Sequence, residues 1–141
     1  MTALESLREA LGEVSDLERA AELLRWDQET NMPPGGVEDR ANQTATLSRL
    51  AHERFTGGEV ARLLEAAEAE VAGLPHDSDE ASLVRVTRRD LDLQRRVPAD
   101  LVAEMARSAA QAHPVWLEAR AASDWSRFVP AMERTVELYG A

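Results

Sequence analysis

Leu4, Leu7, Leu11, Val14, Leu17, Ala21 and Leu24 recur at intervals of three and four. That spacing lines one face of a helix, and a strand, whose side chains alternate with period two, cannot use it. The opposite signal is missing from the whole chain: valine and threonine stand singly, and no run alternates apolar with polar residues. Alanine, leucine, glutamate and arginine dominate, and these are strong helix formers. The sequence therefore predicts an all-α fold of about six helices, arranged as antiparallel hairpins, with residues 1–141 forming a single helical domain.

Composition excludes several functions. The chain has 141 residues and a formal charge of −10, and it has no cysteine. Disulfides, thiolate zinc sites, iron–sulfur clusters and a cysteine nucleophile are ruled out. The acidic balance argues against nucleic acid as a partner, because phosphate binding needs a basic face. All 16 basic side chains are arginine, and isoleucine is absent too. Codon bias in a GC-rich genome accounts for both; an acid-rich, lysine-free surface suited to high salt is the functional alternative. The uncharged run between Arg107 and Glu118, interrupted by His113 and Pro114, falls short of the roughly 20 apolar residues that span a bilayer. Met1-Thr2-Ala3-Leu4-Glu5 has neither the basic flank nor the apolar core of a secretory signal. No membrane partner is expected, and the cytoplasm is the simplest address.

Breakers divide the chain. The apolar stripe makes a first helix from about Thr2 to Glu29, and packing against its own chain or a seam between two chains would each bury it. Pro33-Pro34-Gly35-Gly36 ends it. A second helix runs from Val37 to Phe55, with Val37, Ala41, Thr44, Leu47, Leu50 and Ala51 as its buried face. Thr56 followed by Glu59 has the pattern of a capping box opening a third helix, which buries Val60, Leu63, Leu64, Ala67 and Val71. After a break at Gly73–Ser78, a fourth helix covers Asp79 to Arg96. A fifth runs from Pro98 to about Ala122, with a kink at Pro114 and a face of Leu101, Met105, Ala109, Trp116 and Ala119. Ser123-Asp124 makes a turn, and a last helix runs from Pro130 to about Tyr139, capped by Gly140.

The search for chemistry returns little. His52-Glu53 begins like a zinc-peptidase helix, but position 56 is Thr56 rather than the second histidine. One imidazole and one glutamate do not make a three-ligand site, so His52 reads as a helix-packing, hydrogen-bonding residue. A di-metal carboxylate bundle needs Glu-x-x-His pairs, yet Arg49, Gly73 and Ala110 stand three residues before His52, His76 and His113. Ser48 lies near His52 without a nucleophile elbow. Gly35-Gly36 and Gly57-Gly58 lack the lysine of a phosphate loop. Arg85, Arg88, Arg89, Arg95 and Arg96 interleave with Asp90 and Asp92, which describes a solvated, salt-bridged face rather than an anion site. No catalytic, cofactor-binding or metal residue is assigned. The oddest segment is Trp26-Asp27-Gln28-Glu29-Thr30-Asn31-Met32-Pro33, an aromatic and a polar cluster before a rigid turn. Trp26 would anchor the corner while Asp27 and Thr30 satisfy loose backbone donors; lining a cleft is its second reading.

Leu23-Leu24-Arg25-Trp26-Asp27-Gln28-Glu29-Thr30-Asn31-Met32-Pro33 resembles the N-terminal LLxWDxxTxMP stretch of the carboxypeptidase Taq family. Further resemblances follow in order: Arg40–Gln43 and Thr46–Glu53, then Val84-Arg85 with Arg88–Asp90, Val97-Pro98 with Leu101-Val102, Trp116–Arg120, and Ser123-Asp124-Trp125 with Phe128 and Pro130. The resemblance implies an N-terminal part of a larger α-helical zinc metallocarboxypeptidase of the HExxH type. It implies that zinc belongs to the complete enzyme and that this region forms a wall or lid over a deep cleft admitting a peptide C-terminus. Partners would be the catalytic remainder of the peptidase, a peptide substrate and a second copy in a homodimer. No HExxH occurs before Ala141, so no catalytic role is carried onto any residue, and the chain alone is expected to be inactive. The alternative is a free-standing helical interaction or oligomerisation module. Under either reading, helices built to pack on something absent would leave apolar surface exposed.

Overall fold

The helix-forming stretches fold as their periodicity demands. The computed structural model describes residues 1–140, and six helices account for most of them: α1 (Ala3–Thr30), α2 (Val37–Thr56), α3 (Gly58–Val71), α4 (Asp79–Gln94), α5 (Ala99–Ala121) and α6 (Val129–Gly140). Short 3₁₀ turns at Pro34–Gly36 and Trp125–Arg127 precede α2 and α6. No strand occurs among the described residues.

The contacts divide the chain into two units: Met1–Leu17 with Leu50–Pro98, and Glu18–Arg49 with Ala99 onward. In the first unit, Leu4, Leu7, Ala10 and Val14 of α1 pack with Phe55, with Val60, Leu63, Leu64, Ala67 and Val71 of α3, and with Val84 and Leu91 of α4. The N-terminal half of the apolar stripe is thus consumed within the chain, which removes it as a seam between chains. Every residue expected on the buried face of α3 is buried. The second unit buries mostly small residues, among them Ala21, Ala41, Ala45, Ala110 and Ala119.

Two expected faces are corrected. α2 buries Ala41, Thr44 and Ala45, then Ala51, His52 and Phe55, while Leu50 is exposed and Val37 and Leu47 are half-buried. Leu50 sits about 100° around the helix from Ala51, off the line through Thr44, Ala51 and Phe55. On α5, Ala110 and Ala119 are buried, Leu101 and Met105 are half-buried, and Ala109 and Trp116 are exposed.

The helix ends hold further corrections. Thr56 and Glu59 do not form a capping box. Thr56 closes α2 with its hydroxyl donating to the His52 carbonyl at 2.8 Å, Glu59 is taken by Arg54, and Gly57 caps α3 without a side-chain bond. The same pattern does form a box at the other end of the sequence. The Glu5 amide donates to Thr2 Oγ1 at 3.1 Å, and the Thr2 amide donates to Glu5 Oε2 at 2.7 Å. Gly140 is no left-handed cap: no glycine among the described residues has a positive φ, and Gly140 stays inside α6. The left-handed residue is Ser123, with φ 53°. Its amide donates to the Arg120 carbonyl at 3.1 Å, and the Asp124 amide donates to the Ala119 carbonyl at 2.9 Å. These two bonds are the Schellman pattern that satisfies the last carbonyls of a helix.

Candidate functional site

The odd segment at the end of α1 is an ion-paired corner in the second unit. Arg40, from the first turn of α2, reaches back to it. Its Nη2 pairs with Asp27 Oδ2 at 2.7 Å, its Nη1 donates to the Leu24 carbonyl at 2.6 Å, and its Nε donates to Gln43 Oε1 at 3.2 Å. The Arg40 side chain is only 14% exposed. Asp27 therefore works through its carboxylate on Arg40, and it is the Asp27 backbone carbonyl that receives the Asn31 and Met32 amides, both at 2.9 Å. Thr30 does not cap a backbone donor; its hydroxyl donates to the Trp26 carbonyl at 2.8 Å. Trp26 does not anchor the corner either, for it is 57% exposed.

Gln28 joins this corner to α5. Pro114 lies inside α5 and has no N–H, so the Ala110 carbonyl four residues earlier loses its helical donor. The Gln28 side-chain amide supplies the missing bond, Nε2 to the Ala110 oxygen at 2.7 Å. The helix runs on unbroken through the proline. Beside this bond lies a cavity of about 230 Å³, lined by Arg25, Gln28 and Glu29 of α1, Thr44 of α2, and Ala110 and His113 of α5.

A second concavity, of about 350 Å³, is aromatic and lies where α5 turns towards α6. The Arg120 guanidinium lies over Trp116, 5.3 Å from the ring centroid, and Trp125 meets Phe128 edge-on with centroids 5.6 Å apart. Asp124 binds the Ser126 hydroxyl and amide and the Arg127 Nε; these bonds, the Ser126 hydroxyl first, hold its carboxyl below the usual range.

The histidines are dispersed. His52 is 8% exposed, and its Nε2 donates to the Val97 carbonyl at 2.8 Å. A carbonyl only accepts, so the ring carries its proton on Nε2. This matches the packing role expected for it, although the partner is the loop after α4 rather than another helix. His76 lies on an exposed loop, where its carbonyl accepts from Arg85 Nη1 at 2.9 Å. His113 stacks near Trp116 with centroids 6.0 Å apart. Arginines of α4 are engaged in ion pairs, Arg88 with Glu68 at 2.7 Å and Arg89 with Asp90 at 2.8 Å, and Arg95, just past the helix, donates to the Thr56 carbonyl at 3.0 Å.

Residues 6–141 match the model of the family described as carboxypeptidase Taq (M32) metallopeptidase. Thermostable carboxypeptidase 1 of Thermus thermophilus is 35% identical over 136 residues, covering 96% of this chain and 27% of that protein. Thermostable carboxypeptidase 1 of Pyrococcus furiosus is 32% identical over 120 residues, covering 84% of this chain and 23% of that protein. The crystal structure of the M32 carboxypeptidase from Deinococcus radiodurans R1 superposes with a TM-score of 0.64 at 36% identity, over 96% of this chain and 27% of that one. The BsuCP crystal structure superposes with a TM-score of 0.90 at 25% identity, over 98% of this chain and 27% of that one.

A helical chain matched by these peptidases over nearly its whole length shares their architecture over that stretch. It belongs to the carboxypeptidase Taq metallopeptidase family, and it spans about a quarter of the length of the relatives it matches. The side chains present do not fit the metal which that family implies. Among the described residues no three histidine, aspartate or glutamate side chains converge, and the Nε2 of His52 is committed to Val97. No step involving a metal follows from these residues.

Proposed function

We propose that this chain is the N-terminal helical region of a cytoplasmic, zinc-dependent metallocarboxypeptidase that removes C-terminal amino acids from peptides. The observation that carries this reading is the family match over residues 6–141 by a chain covering only about a quarter of its relatives. Its role is that of one domain forming a cleft wall, with the catalytic remainder of the enzyme and a peptide as partners, in a homodimer. The exposed apolar side chains support that role: Trp125, Val136 and Tyr139 around α6, and Leu23 and Trp26 on α1, leave surface for a larger assembly to cover. Zinc would be bound by residues outside this chain. The test is release of C-terminal amino acids from a peptide by the purified chain with added zinc. No release above background is the expected result. Zinc-dependent turnover by these 141 residues would overturn the reading.

A further inference from the structure

α6 carries two stripes along its length, and the fold uses one of them. Phe128, Ala131, Thr135 and Leu138 are buried or half-buried where the helix packs on α5. Arg134 ties that contact down, its Nη2 pairing with Glu104 of α5 at 3.1 Å. Trp125, Val129, Met132, Val136 and Tyr139 follow one another at spacings of four, three, four and three along an adjacent face. Val129 is half-buried and Met132 exposed, while Trp125 is 64%, Val136 67% and Tyr139 76% exposed. Single apolar side chains in solvent are ordinary, whereas five in register on one face mark a surface built for contact.

The spacing sets the shape of what covers it. Apolar residues recurring every 3.5 positions on average form the seam along which two helices pack, crossing at about 20°. From Val129 to Tyr139 the seam is about 15 Å long, which takes about three turns of a facing helix. Glu133 and Glu137 border the same groove. Glu137 pairs with Arg134 at 3.3 Å, and Glu133 has no ion-pair partner among the described residues. A helix lying along this border gains from a basic side chain on the flank that faces Glu133.

A second copy of the chain fits the groove poorly, since it would bring another net charge of −10 and another Glu133 to an acidic border. The family match, by contrast, runs to residue 141, and the Thermus thermophilus relative is matched over only 27% of its length. We infer that the groove along α6 receives a helix from the part of a longer polypeptide that follows Ala141. That helix places apolar residues of three–four spacing on Met132 and Val136 and an arginine or lysine on Glu133. The inference rests on the reading of this chain as the N-terminal region of a longer enzyme, and it adds where the remainder docks and by what chemistry.

The test sets the longer gene product beside residues 1–141. Hydroxyl-radical footprinting needs no substitution. Trp125, Met132 and Tyr139 should be modified at least about tenfold more slowly in the longer protein, as close helix packing excludes water from them. Val136→Asp should speed amide exchange across α6 by at least about tenfold in the longer protein, the equivalent of one buried valine lost, and leave exchange in residues 1–141 unchanged. The downstream segment whose exchange quickens with it should be helical, with three–four apolar spacing and a basic residue. Glu133→Arg should speed α6 exchange about threefold more than Glu133→Gln at low salt, and the difference should vanish in about 1 M salt. A frame that runs on past Ala141 into a protein whose Trp125, Met132 and Tyr139 stay as reactive as in residues 1–141 overturns the docking and leaves the reading of a longer enzyme standing. A stop codon after Ala141 overturns both. A dimer of residues 1–141 that Val136→Asp dissociates makes a second copy the occupant and overturns the docking. Glu133→Arg tolerated as well as Glu133→Gln at low salt overturns the basic flank assigned to the helix.

Discussion

Gln28 and Pro114 are 86 positions apart in sequence and share one carbonyl, that of Ala110. Gln28→Ala leaves that carbonyl without a donor and should cost about 1–2 kcal/mol in urea unfolding. In a Pro114→Ala background the residue at 114 regains its N–H and bonds Ala110 as an ordinary helix does. The cost of Gln28→Ala should then fall to half or less, and equal costs in both backgrounds would show that the bond does not serve the proline. Leu7, fully buried among α3 and α4 residues, belongs to the same scale. Leu7→Ala should lose about 2–5 kcal/mol, a loss that a seam between chains would not produce in a monomer.

At the scale of elements, the ends of helices decide. Ser123 holds a left-handed conformation that L side chains adopt at a cost of about 1–2 kcal/mol. Ser123→Gly should therefore raise stability by up to about 1 kcal/mol, read as a higher midpoint of denaturation. Glu68 and Arg88 join α3 to α4 through two bonds of 2.7 and 2.9 Å, and the hydrogen bonds from Arg88 lower the pKa of Glu68. A carboxylate depressed in the folded state stabilises fully above its unfolded pKa. That contribution is lost as pH falls through the folded value. Both side chains are about a third exposed or more, so it amounts to at most about 1 kcal/mol. Glu68→Gln should flatten the acid limb of the stability profile by that amount and leave its slope near neutral pH unchanged.

The elements were legible where one face repeats. The N-terminal half of the α1 stripe and the face of α3 stand in the sequence because a single hydrophobic core fixes them. The ends were less legible, since Thr-x-x-Glu makes a box at Thr2 and none at Thr56. At Thr56 the previous helix keeps the threonine and Arg54 takes the glutamate. The face of α2 was misread because the helix serves two units, and its buried line shifts between Ala45 and Ala51. Asp27 stood out in sequence, but its partner Arg40 and the link from Gln28 to Ala110 did not. Both depend on how separate helices meet, which no local pattern carries.

At the scale of the whole molecule, the chain has an internal core in one unit, alanine-lined helices in the other and several large apolar side chains in solvent. The proposed longer protein, of which this chain would be the N-terminal region, would account for all three together with the family match. The most direct test is to sequence the source gene downstream of the codon for Ala141. An open frame continuing into an HExxH motif is the result this account predicts. A stop codon immediately after Ala141 would contradict it and leave a helical protein whose binding partners, rather than peptide hydrolysis, define its work.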